Sequence, residues 1–360
     1  MSQSNALRLA VLAGDGVGPE ITAATVEILQ AAAARANLPL DLEELPIGYK
    51  SYNKWKSTLT DETVQKLRGH TGWILGPTFA GEYPKDDPIR GHPSGYLRKN
   101  FGLFANVRPN KAWPQLNPLI PDLDVTVIRE NTQGFYPDRN MFWGYGEFLP
   151  TADVGLSVRV VTKPACDRFA RFSLEYATAL EYESLSILHK RTALPQTEGL
   201  FIGAFEALKA EFPKVKTEVV RVDTFSSSLP RDYKKYRLVA TTNLFGDIAS
   251  DQASGLAGGV AVAPSLNAGT DQAMAQAVHG TAPDIEGQNI ANPTALALST
   301  AMLLRWFDQK KPDQRCRDTA GHIERGIHGA REAGALTRDL GGRTSTTDFT
   351  RAVVKAIEGR

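Results

Sequence analysis

The amino-acid sequence predicts an α/β protein with two domains. Strand-like runs of apolar and β-branched residues alternate with helical patterns along the chain, as in α/β proteins. Residues 7–13 and 238–242 are two such runs, and each leads through a turn that contains glycine into a predicted helix. The length of 360 residues is ample for two domains, each with its own core.

Composition excludes several classes of function. A net charge of +1 and a charged fraction of 22% give no basis for binding nucleic acid or a membrane surface. No apolar run approaches the length of about 20 residues that a membrane span needs. Cys166 and Cys316 match no metal-ligand spacing, so we expect free thiols in a reducing compartment. The polar start of the chain leads directly into the first strand, from which we expect no signal peptide and a cytoplasmic location.

The remaining elements follow from periodicity and from turn residues. Gly14, Gly16 and Gly18 form a turn after the first strand, and Pro19 suits the first turn of a helix that runs to about residue 36. This glycine spacing differs from G-x-G-x-x-G, so we do not expect a classical Rossmann fold. We predict further strands at 72–76, 125–128, 185–188 and 215–222, and further helices at 162–180, 294–306, 318–332 and 347–358.

Two aspartates are candidate metal ligands. We predict a turn at 243–246 and a helix from near Asp247, on which Asp247 and Asp251 project from one face because they are four residues apart. Carboxylate oxygens of this kind suit Mg²⁺ or Mn²⁺. The alternative is a solvated helix face whose first aspartate is favoured by the helix dipole.

Three arginines are candidates for binding an anion. Arg98, Arg108 and Arg129 flank strand-like runs and could converge on one ligand. Guanidinium groups bind carboxylates through two parallel hydrogen bonds, which fixes the orientation of the ligand as well as its charge. Taken singly, each arginine would be assigned to the protein surface.

The segment 243–251, Asn-Leu-Phe-Gly-Asp-Ile-Ala-Ser-Asp, resembles the metal-binding segment Asn-Leu-x-Gly-Asp-x-x-Ser-Asp of the β-decarboxylating dehydrogenases. This family comprises isocitrate, homoisocitrate, isopropylmalate and tartrate/D-malate dehydrogenases. The resemblance implies an isocitrate/isopropylmalate dehydrogenase-like fold with an active-site cleft between two domains. Residues 1–99 plus 252–360 would form the domain on the cofactor side, and residues 100–251 the domain for substrate and dimer contacts.

The same resemblance implies roles for individual residues. Arg98, Arg108 and Arg129 match the substrate-carboxylate clamp, and Asp247 and Asp251 would share the metal with Asp223 of the partner subunit. Lys190 matches the catalytic lysine and is our candidate for the base, since metal and arginine charges disfavour its protonated form. Tyr136 is placed to protonate the enolate left by decarboxylation. The catalytic lysine of the family usually lies in a Lys-x-Asn motif, and after Lys190 this chain has Thr192 in place of the asparagine.

The segment 276–293 resembles the adenosine-binding loop of the family. The positions that match its cofactor contacts are His279, Gly280, Ala282, Pro283, Asp284, Ile285 and Asn292. NADP-dependent relatives have Lys, Tyr and Val where this chain has Asp284, Ile285 and Ala291. A carboxylate accepts hydrogen bonds from the ribose 2′-hydroxyl and repels a 2′-phosphate, so we expect NAD. Gln276 departs from the glutamate that many members have.

The expected reaction is metal-dependent oxidation and β-decarboxylation of a 2-hydroxy acid that carries a 3-carboxylate. Residues before Arg98, among them Ser94, should face the substituent at C3, and isopropylmalate enzymes have leucines there. Ser94 can bond a distal carboxylate, and Lys85 or Arg90 in the long segment 79–93 could add charge. We therefore expect an isocitrate- or homoisocitrate-like substrate, the alternatives being isopropylmalate, tartrate/D-malate or a phosphonate analogue of malate.

Two functions from other classes are compatible with parts of the pattern. Paired aspartates and arginines also suit a magnesium-dependent phosphoryl-transfer enzyme, but the sequence has no Walker loop. A binding protein that has lost catalysis is the other alternative, against which stand the intact Lys190, Tyr136 and three aspartates.

Overall fold

The computed structural model describes residues 6–79, 83–89, 92–136, 138, 141 and 144–359. The strands, in chain order, are β1 (Leu7–Leu12), β2 (Leu40–Glu44), β3 (Gly72–Leu75), β4 (Ala105–Lys111), β5 (Asp124–Glu130), β6 (Glu147–Thr151), β7 (Val154–Ser157), β8 (Ser184–His189), β9 (Lys216–Arg221), β10 (Leu238–Thr241), β11 (Leu266–Ala268) and β12 (Ala273–Gln276). The helices are α1 (Gly18–Arg35), α2 (Gly48–Trp55), α3 (Asp61–Arg68), α4 (Pro93–Asn100), α5 (Lys163–Ala179), α6 (Pro195–Leu208), α7 (Val222–Asp232), α8 (Asn243–Ala257), α9 (Thr294–Lys310), α10 (Gln314–Glu332) and α11 (Thr346–Glu358).

The chain divides into two compact units. Unit 1 consists of Met1–Tyr96 and Val260–Arg360, and unit 2 of Leu97–Gly259. The boundary expected after residue 251 would have cut through α8. That helix packs on β4 and β5 and lies wholly within unit 2.

Unit 1 contains five strands in the order β2-β1-β3-β12-β11. All neighbouring pairs in this order are parallel except β11 and β12, which are antiparallel. Helices α1, α9, α10 and α11 pack on one another, and α9 lies against β12 and β3. Trp73, Ile28 and Leu304 are fully buried in this core. Parallel pairing in the middle of the sheet explains why β1 and β3 are almost entirely apolar, whereas β2 at the sheet edge contains Asp41, Glu43 and Glu44.

The main sheet of unit 2 has five strands among the described residues, in the order β4-β5-β10-β8-β9. β4 and β5 are antiparallel and the other pairs are parallel. Helix α8 lies on β4 and β5, while α5 and α6 pack against each other and against β8. Val127, Val239 and Phe225 are fully buried and belong to one apolar cluster. This arrangement brings the start of α8 next to the end of β5.

A separate antiparallel hairpin, β6 with β7, also belongs to unit 2. All nine of its strand residues are exposed, including Phe148, Leu149, Val154 and Leu156. An isolated hairpin of two strands is marginally stable in water, so these apolar side chains mark a surface that needs a partner.

The strands and helices predicted from the sequence are present, with ends shifted by a few residues. The predicted turn at 243–246 was wrong, because α8 already begins at Asn243. Gly246 lies inside the helix, where packing against β5 demands the absence of a side chain, and it does not mark a turn. In the described part of the chain, no helix is long and apolar enough to cross a membrane.

Candidate active site

Two buried arginines approach one aspartate where α8 covers β4 and β5 in unit 2. The antiparallel register pairs Asn106 with Arg129 and Arg108 with Val127. Because side chains alternate along a strand and paired residues share a face, Asn106, Arg108 and Arg129 project from the same face of the sheet. Arg108 is 6% exposed and Arg129 is 2% exposed. Two buried guanidinium groups require anionic partners on that face.

Asp247 on α8 is that anionic partner. Its Oδ1 accepts a hydrogen bond from Nη1 of Arg108 at 3.0 Å and another from Nη1 of Arg129. Its Oδ2 accepts a bond of 2.6 Å from the hydroxyl of Tyr136. Burial raises the pKa of Asp247, but Arg129, Arg108, the Tyr136 hydroxyl and Arg98 together lower it below its usual value. Asp247 is therefore ionised, and it draws three candidate residues to one point.

Asp251 lies one helical turn further along α8 and has a different environment. Its Oδ1 is 3.7 Å from Nη1 of Arg108, and its side chain is 60% exposed. Burial and the neighbouring charge of Asp247 raise the pKa of Asp251, although Arg108 acts in the opposite direction. A bound cation would relieve this repulsion. Two carboxylates on one face, one of them open to solvent, are a donor set that fits Mg²⁺ or Mn²⁺.

Several residues that the sequence analysis did not assign hold the arginines in place. Asn243 accepts a bond of 2.8 Å from Nε of Arg129 and donates one of 2.8 Å to the backbone carbonyl of Gln133. Ser250 accepts a bond of 2.8 Å from Nη1 of Arg108. Both residues belong to the segment 243–251 that carried the family resemblance. Their fixed positions in that motif were the signal that could have identified them.

Gly246 permits this close approach of α8 to β5. A Cβ atom at this position would lie 2.7 Å from Cβ and Cγ of Arg129 and 3.1 Å from its Cα. Such distances are shorter than side chains tolerate, so any other residue would push α8 away from β5. The glycine is needed for packing, since its backbone is helical.

Lys190 and Asp223 form a second pair within unit 2. Lys190 follows β8, and its Nζ lies 3.1 Å from Oδ1 of Asp223 in the first turn of α7. The hydrogen bond from Lys190 lowers the pKa of Asp223. Among the described residues, no group of three or more His, Cys, Asp or Glu side chains is placed to hold a metal ion. Asp223 therefore does not join Asp247 and Asp251 within one chain.

A buried ion pair supports the segment that carries Lys190. Arg159 donates to Glu198, which is fully buried at the start of α6, and to Oγ1 of Thr242, which precedes α8, at 3.3 Å. The other oxygen of Glu198 accepts a bond of 3.3 Å from the backbone N–H of Lys190. Removing one partner of a buried ion pair is strongly destabilising, so this pair fixes the start of α6 relative to that of α8. Nothing in the sequence pattern pointed to it.

The candidate dinucleotide loop lies in unit 1. His279 follows β12, Ala282 has a left-handed backbone conformation with φ of 40°, and a short 3₁₀ turn spans Pro283–Ile285. Burial lowers the pKa of His279, whose Nδ1 lies 2.9 Å from the carbonyl of Gly280. Its Nε2 is buried and has no hydrogen-bond partner among the described residues, an orphaned polar atom that a ligand could satisfy.

Two further contacts anchor the end of this loop. Glu20 in the first turn of α1 accepts a bond of 3.0 Å from the backbone N–H of Ala291 and one of 3.1 Å from that of Asn289. The side chain of Asn292 donates a bond of 2.8 Å to Asp339. Glu20 thus connects the first turn of α1 with the candidate dinucleotide loop, a role that the sequence analysis did not assign. Asp284 in the same loop is exposed to solvent.

Ser94, a candidate for substrate binding, has a contact within unit 1. Its hydroxyl donates a hydrogen bond of 3.1 Å to Oε1 of Gln276, the residue that departs from the family pattern. A serine hydroxyl has one proton, so Ser94 would exchange this partner if it donated to a ligand. Lys85 is exposed, and Arg90 lies outside the described residues.

Comparison with known proteins places these residues in context. Residues 8–353 match the family model described as isocitrate/isopropylmalate dehydrogenase. The chain is 34% identical to isocitrate/homoisocitrate dehydrogenase of Thermus thermophilus, covering 98% of this chain and 99% of the relative. It is also 34% identical to 3-isopropylmalate dehydrogenase of Methanothermobacter thermautotrophicus, with the same coverage of both.

A solved structure gives the same result for the fold. Isocitrate dehydrogenase from Methylococcus capsulatus superimposes with a TM-score of 0.85 at 30% sequence identity, covering 97% of this chain and 99% of that chain. The fold predicted from the sequence is thereby confirmed.

The packing of Gly246 generates a prediction about stability. Gly246→Ala should lower the free energy of unfolding by about 1–3 kcal/mol, because the added methyl group overlaps Arg129. Gly255→Ala is the matched control on the same helix, since no atom lies within 4 Å of its Cβ position. The control should be neutral or stabilising by up to about 1 kcal/mol. Urea denaturation of both variants measures the difference, and equal midpoints would contradict the packing role of Gly246.

Proposed function

The chain belongs to the isocitrate/isopropylmalate dehydrogenase family, whose members are decarboxylating oxidoreductases, and we propose that it acts on a 2-hydroxy acid with a carboxylate at C3. The observation that carries this proposal is the Asp247 carboxylate, which Arg108, Arg129 and Tyr136 surround next to Asp251. Cationic, anionic and phenolic groups at one point suit a substrate that is itself an acid with a hydroxyl group.

The arginines would bind a substrate carboxylate. Among the described residues, Arg108 uses Nε for Asn106 and Nη1 for Asp247 and Ser250, which leaves Nη2 available to a ligand. The guanidinium plane is held by these bonds before a ligand arrives, so little side-chain entropy is lost on binding. Arg98 adds positive charge that helps to lower the pKa of Asp247.

Asp247 and Asp251 would hold the divalent metal that the family uses. When bound, Mg²⁺ or Mn²⁺ supplies Lewis-acid stabilisation of negative charge on a substrate oxygen. The partly exposed carboxylate of Asp251 has room for this contact. Arg129 and Arg108 lower the pKa of Asp247, which favours the ionised carboxylate that a metal ligand must supply.

Two groups would move protons. Lys190 is the proposed base for the substrate hydroxyl, and its Nζ lies 3.1 Å from Oδ1 of Asp223. Tyr136 is the proposed acid after decarboxylation. The guanidinium of Arg129 lies 5.1 Å from the centre of the Tyr136 ring, and the Tyr136 hydroxyl donates a hydrogen bond to Asp247. Those contacts fix the orientation of the phenol.

We propose a homodimer with shared active sites. Within one chain Lys190 and Asp223 contact each other and form no three-residue metal cluster with the α8 aspartates among the described residues. The β6–β7 hairpin exposes apolar side chains that are 44–70% accessible, namely Phe148, Leu149, Val154 and Leu156. A second copy of the chain would cover them and bring the Lys190–Asp223 pair to the other chain's α8. A C₂ dimer makes two such mixed sites.

For the cofactor we propose NAD. The exposed Asp284 in the turn Pro283–Ile285 would accept hydrogen bonds from a ribose hydroxyl and repel a 2′-phosphate. For the substituent at C3 we propose an anionic or polar group, as in isocitrate or homoisocitrate. The support is the polar character of the segment before Arg98, in which Ser94 is partly buried and bonded to an amide. A cytoplasmic location stays a prediction from the sequence.

The test of this function is NADH formation with a panel of 2-hydroxy acids and Mg²⁺ or Mn²⁺. Isocitrate or homoisocitrate should be oxidised and decarboxylated, with tartrate, D-malate and a phosphonomethyl malate as further members of the panel. Robust turnover of isopropylmalate with none of isocitrate or homoisocitrate would contradict the proposed substituent. No turnover of any acid would favour a binding protein without catalytic activity.

The same assay with NADP tests the role of Asp284. We expect kcat/KM for NAD to exceed that for NADP by at least about tenfold, since an uncompensated charge clash costs about 1–3 kcal/mol. Asp284→Asn should reduce the ratio of kcat/KM for NAD to kcat/KM for NADP. Equal efficiency with both dinucleotides in the wild-type protein would refute the assignment.

Shared sites predict complementation between two inactive variants. Lys190→Met and Asp251→Asn should each be nearly inactive as homodimers. In a hybrid dimer one site would contain both substitutions and the other neither, so equal mixing should restore about a quarter of wild-type activity. The variants are unfolded and refolded together, and differently tagged chains confirm the hybrids. No recovery in confirmed hybrids would show that each site is built from a single chain.

A further inference from the structure

The long segment before α4 is attached to α2 and its surroundings through its own acidic residues. Asp86 accepts a bond of 2.7 Å from the hydroxyl of Tyr52, and Asp87, which is 2% exposed, accepts bonds from the hydroxyl and backbone N–H of Thr58 at 2.5 and 3.2 Å. Nothing in the sequence pattern predicted partners for Asp86 and Asp87, but their hydrogen bonds to Tyr52 and Thr58 attach this segment to unit 1. It is a fixed part of unit 1 over the described residues 83–89.

Tyr83 extends this attachment to the glycine turn after β1. Its hydroxyl donates to Oδ2 of Asp15, and the backbone N–H of Tyr49 donates to Oδ1 at 2.7 Å. Asp15 and Tyr83 are each 6% exposed. A Cβ atom on Gly48, whose φ is +69°, would lie 2.3 Å from the Asp15 carboxylate, so the carboxylate fills the space at the start of α2. Its position is fixed from two sides.

The turn that carries Asp15 is in direct contact with the candidate dinucleotide loop. The backbone N–H of Val17 donates a bond of 2.9 Å to the carbonyl of Thr281, and that of Asp15 donates one of 2.8 Å to Pro77. A Cβ atom on Gly16 would lie 2.1 Å from the Thr281 carbonyl. Thr281 stands between Gly280 and Ala282, two of the proposed cofactor contacts. A shift of the turn would therefore shift these residues.

We propose that Tyr83 is a positioning residue for the dinucleotide, acting through Asp15 and the turn 14–17 on Thr281. The proposal rests on the proposed NAD site, and Tyr83 itself need not touch the cofactor. Burial raises the pKa of Asp15, and the Tyr83 hydroxyl is the largest of the contacts that oppose this effect. Without that donor, a buried carboxylate loses a hydrogen bond and the turn loses its attachment to the segment 83–89.

The experiment compares Tyr83→Phe with Tyr52→Phe. Both substitutions remove one phenolic hydroxyl from the same aromatic group around α2, but only Tyr83 bonds to Asp15, while Tyr52 bonds to Asp86. Calorimetric titration of the protein with NAD should show a Kd about tenfold higher for Tyr83→Phe and within about twofold of wild type for Tyr52→Phe. The KM for NAD should follow the Kd, while the KM for the hydroxy acid and kcat at saturating NAD stay within about twofold in both variants.

A double-mutant cycle with Asp15→Asn provides the second measurement. If Tyr83 acts through Asp15, the effects of Tyr83→Phe and Asp15→Asn on the Kd for NAD should be strongly non-additive. Additive effects, or an equal Kd for Tyr83→Phe and Tyr52→Phe, would overturn the inference while leaving the NAD site intact. Absence of NAD binding by the wild-type protein would instead refute the proposed cofactor, and the inference with it. If Tyr83→Phe fails to fold, Asp15→Asn alone must still weaken NAD binding, and an unchanged Kd would overturn the proposal.

Discussion

The candidate substrate site depends on one carboxylate that two buried arginines share. Desolvation of Arg108 and Arg129 is costly, and Asp247 on α8 compensates for both. This requirement explains the register that aligns the arginines on one face, the asparagine at 243 that accepts from Arg129, and the glycine at 246. Arg108 and Arg129, which would bind a substrate carboxylate, are therefore the same groups that hold the Asp247 carboxylate in place.

Acidic side chains have a comparable structural role in both units. In unit 2, Glu198 accepts from Arg159 and from the backbone N–H of Lys190. In unit 1, Glu20 accepts from the backbone of the candidate dinucleotide loop, and Asp15 accepts from Tyr83 and Tyr49. Each of these carboxylates connects a candidate ligand-binding segment with an element distant in sequence. The segments are therefore held in place by the fold before any ligand binds.

Periodicity and local motifs predicted much of the secondary structure, and they suggested that Arg98, Arg108 and Arg129 converge on one anion. They did not predict that Arg108 and Arg129 both bond to Asp247. They failed at residue 243, because asparagine and glycine favour turns locally and only packing against β5 explains a helix there. The sequence patterns also assigned Ser94 to substrate binding but did not predict its hydrogen bond to Gln276. They gave no indication of the contact between Tyr83 and Asp15. Those pairs are 182 and 68 residues apart, and no local pattern reports such contacts.

The most direct test of the central claim is Mn²⁺ binding, measured from the electron paramagnetic resonance signal of the unbound ion, with and without the hydroxy acid. If the α8 carboxylates and the arginines form one site, wild-type protein should bind Mn²⁺ more tightly when the acid is present. Asp251→Asn should weaken binding by at least about tenfold. Asp318→Asn, a change at an exposed aspartate on α10, is the control and should leave affinity unchanged. Equal Mn²⁺ affinity in Asp251→Asn and wild type would contradict the account.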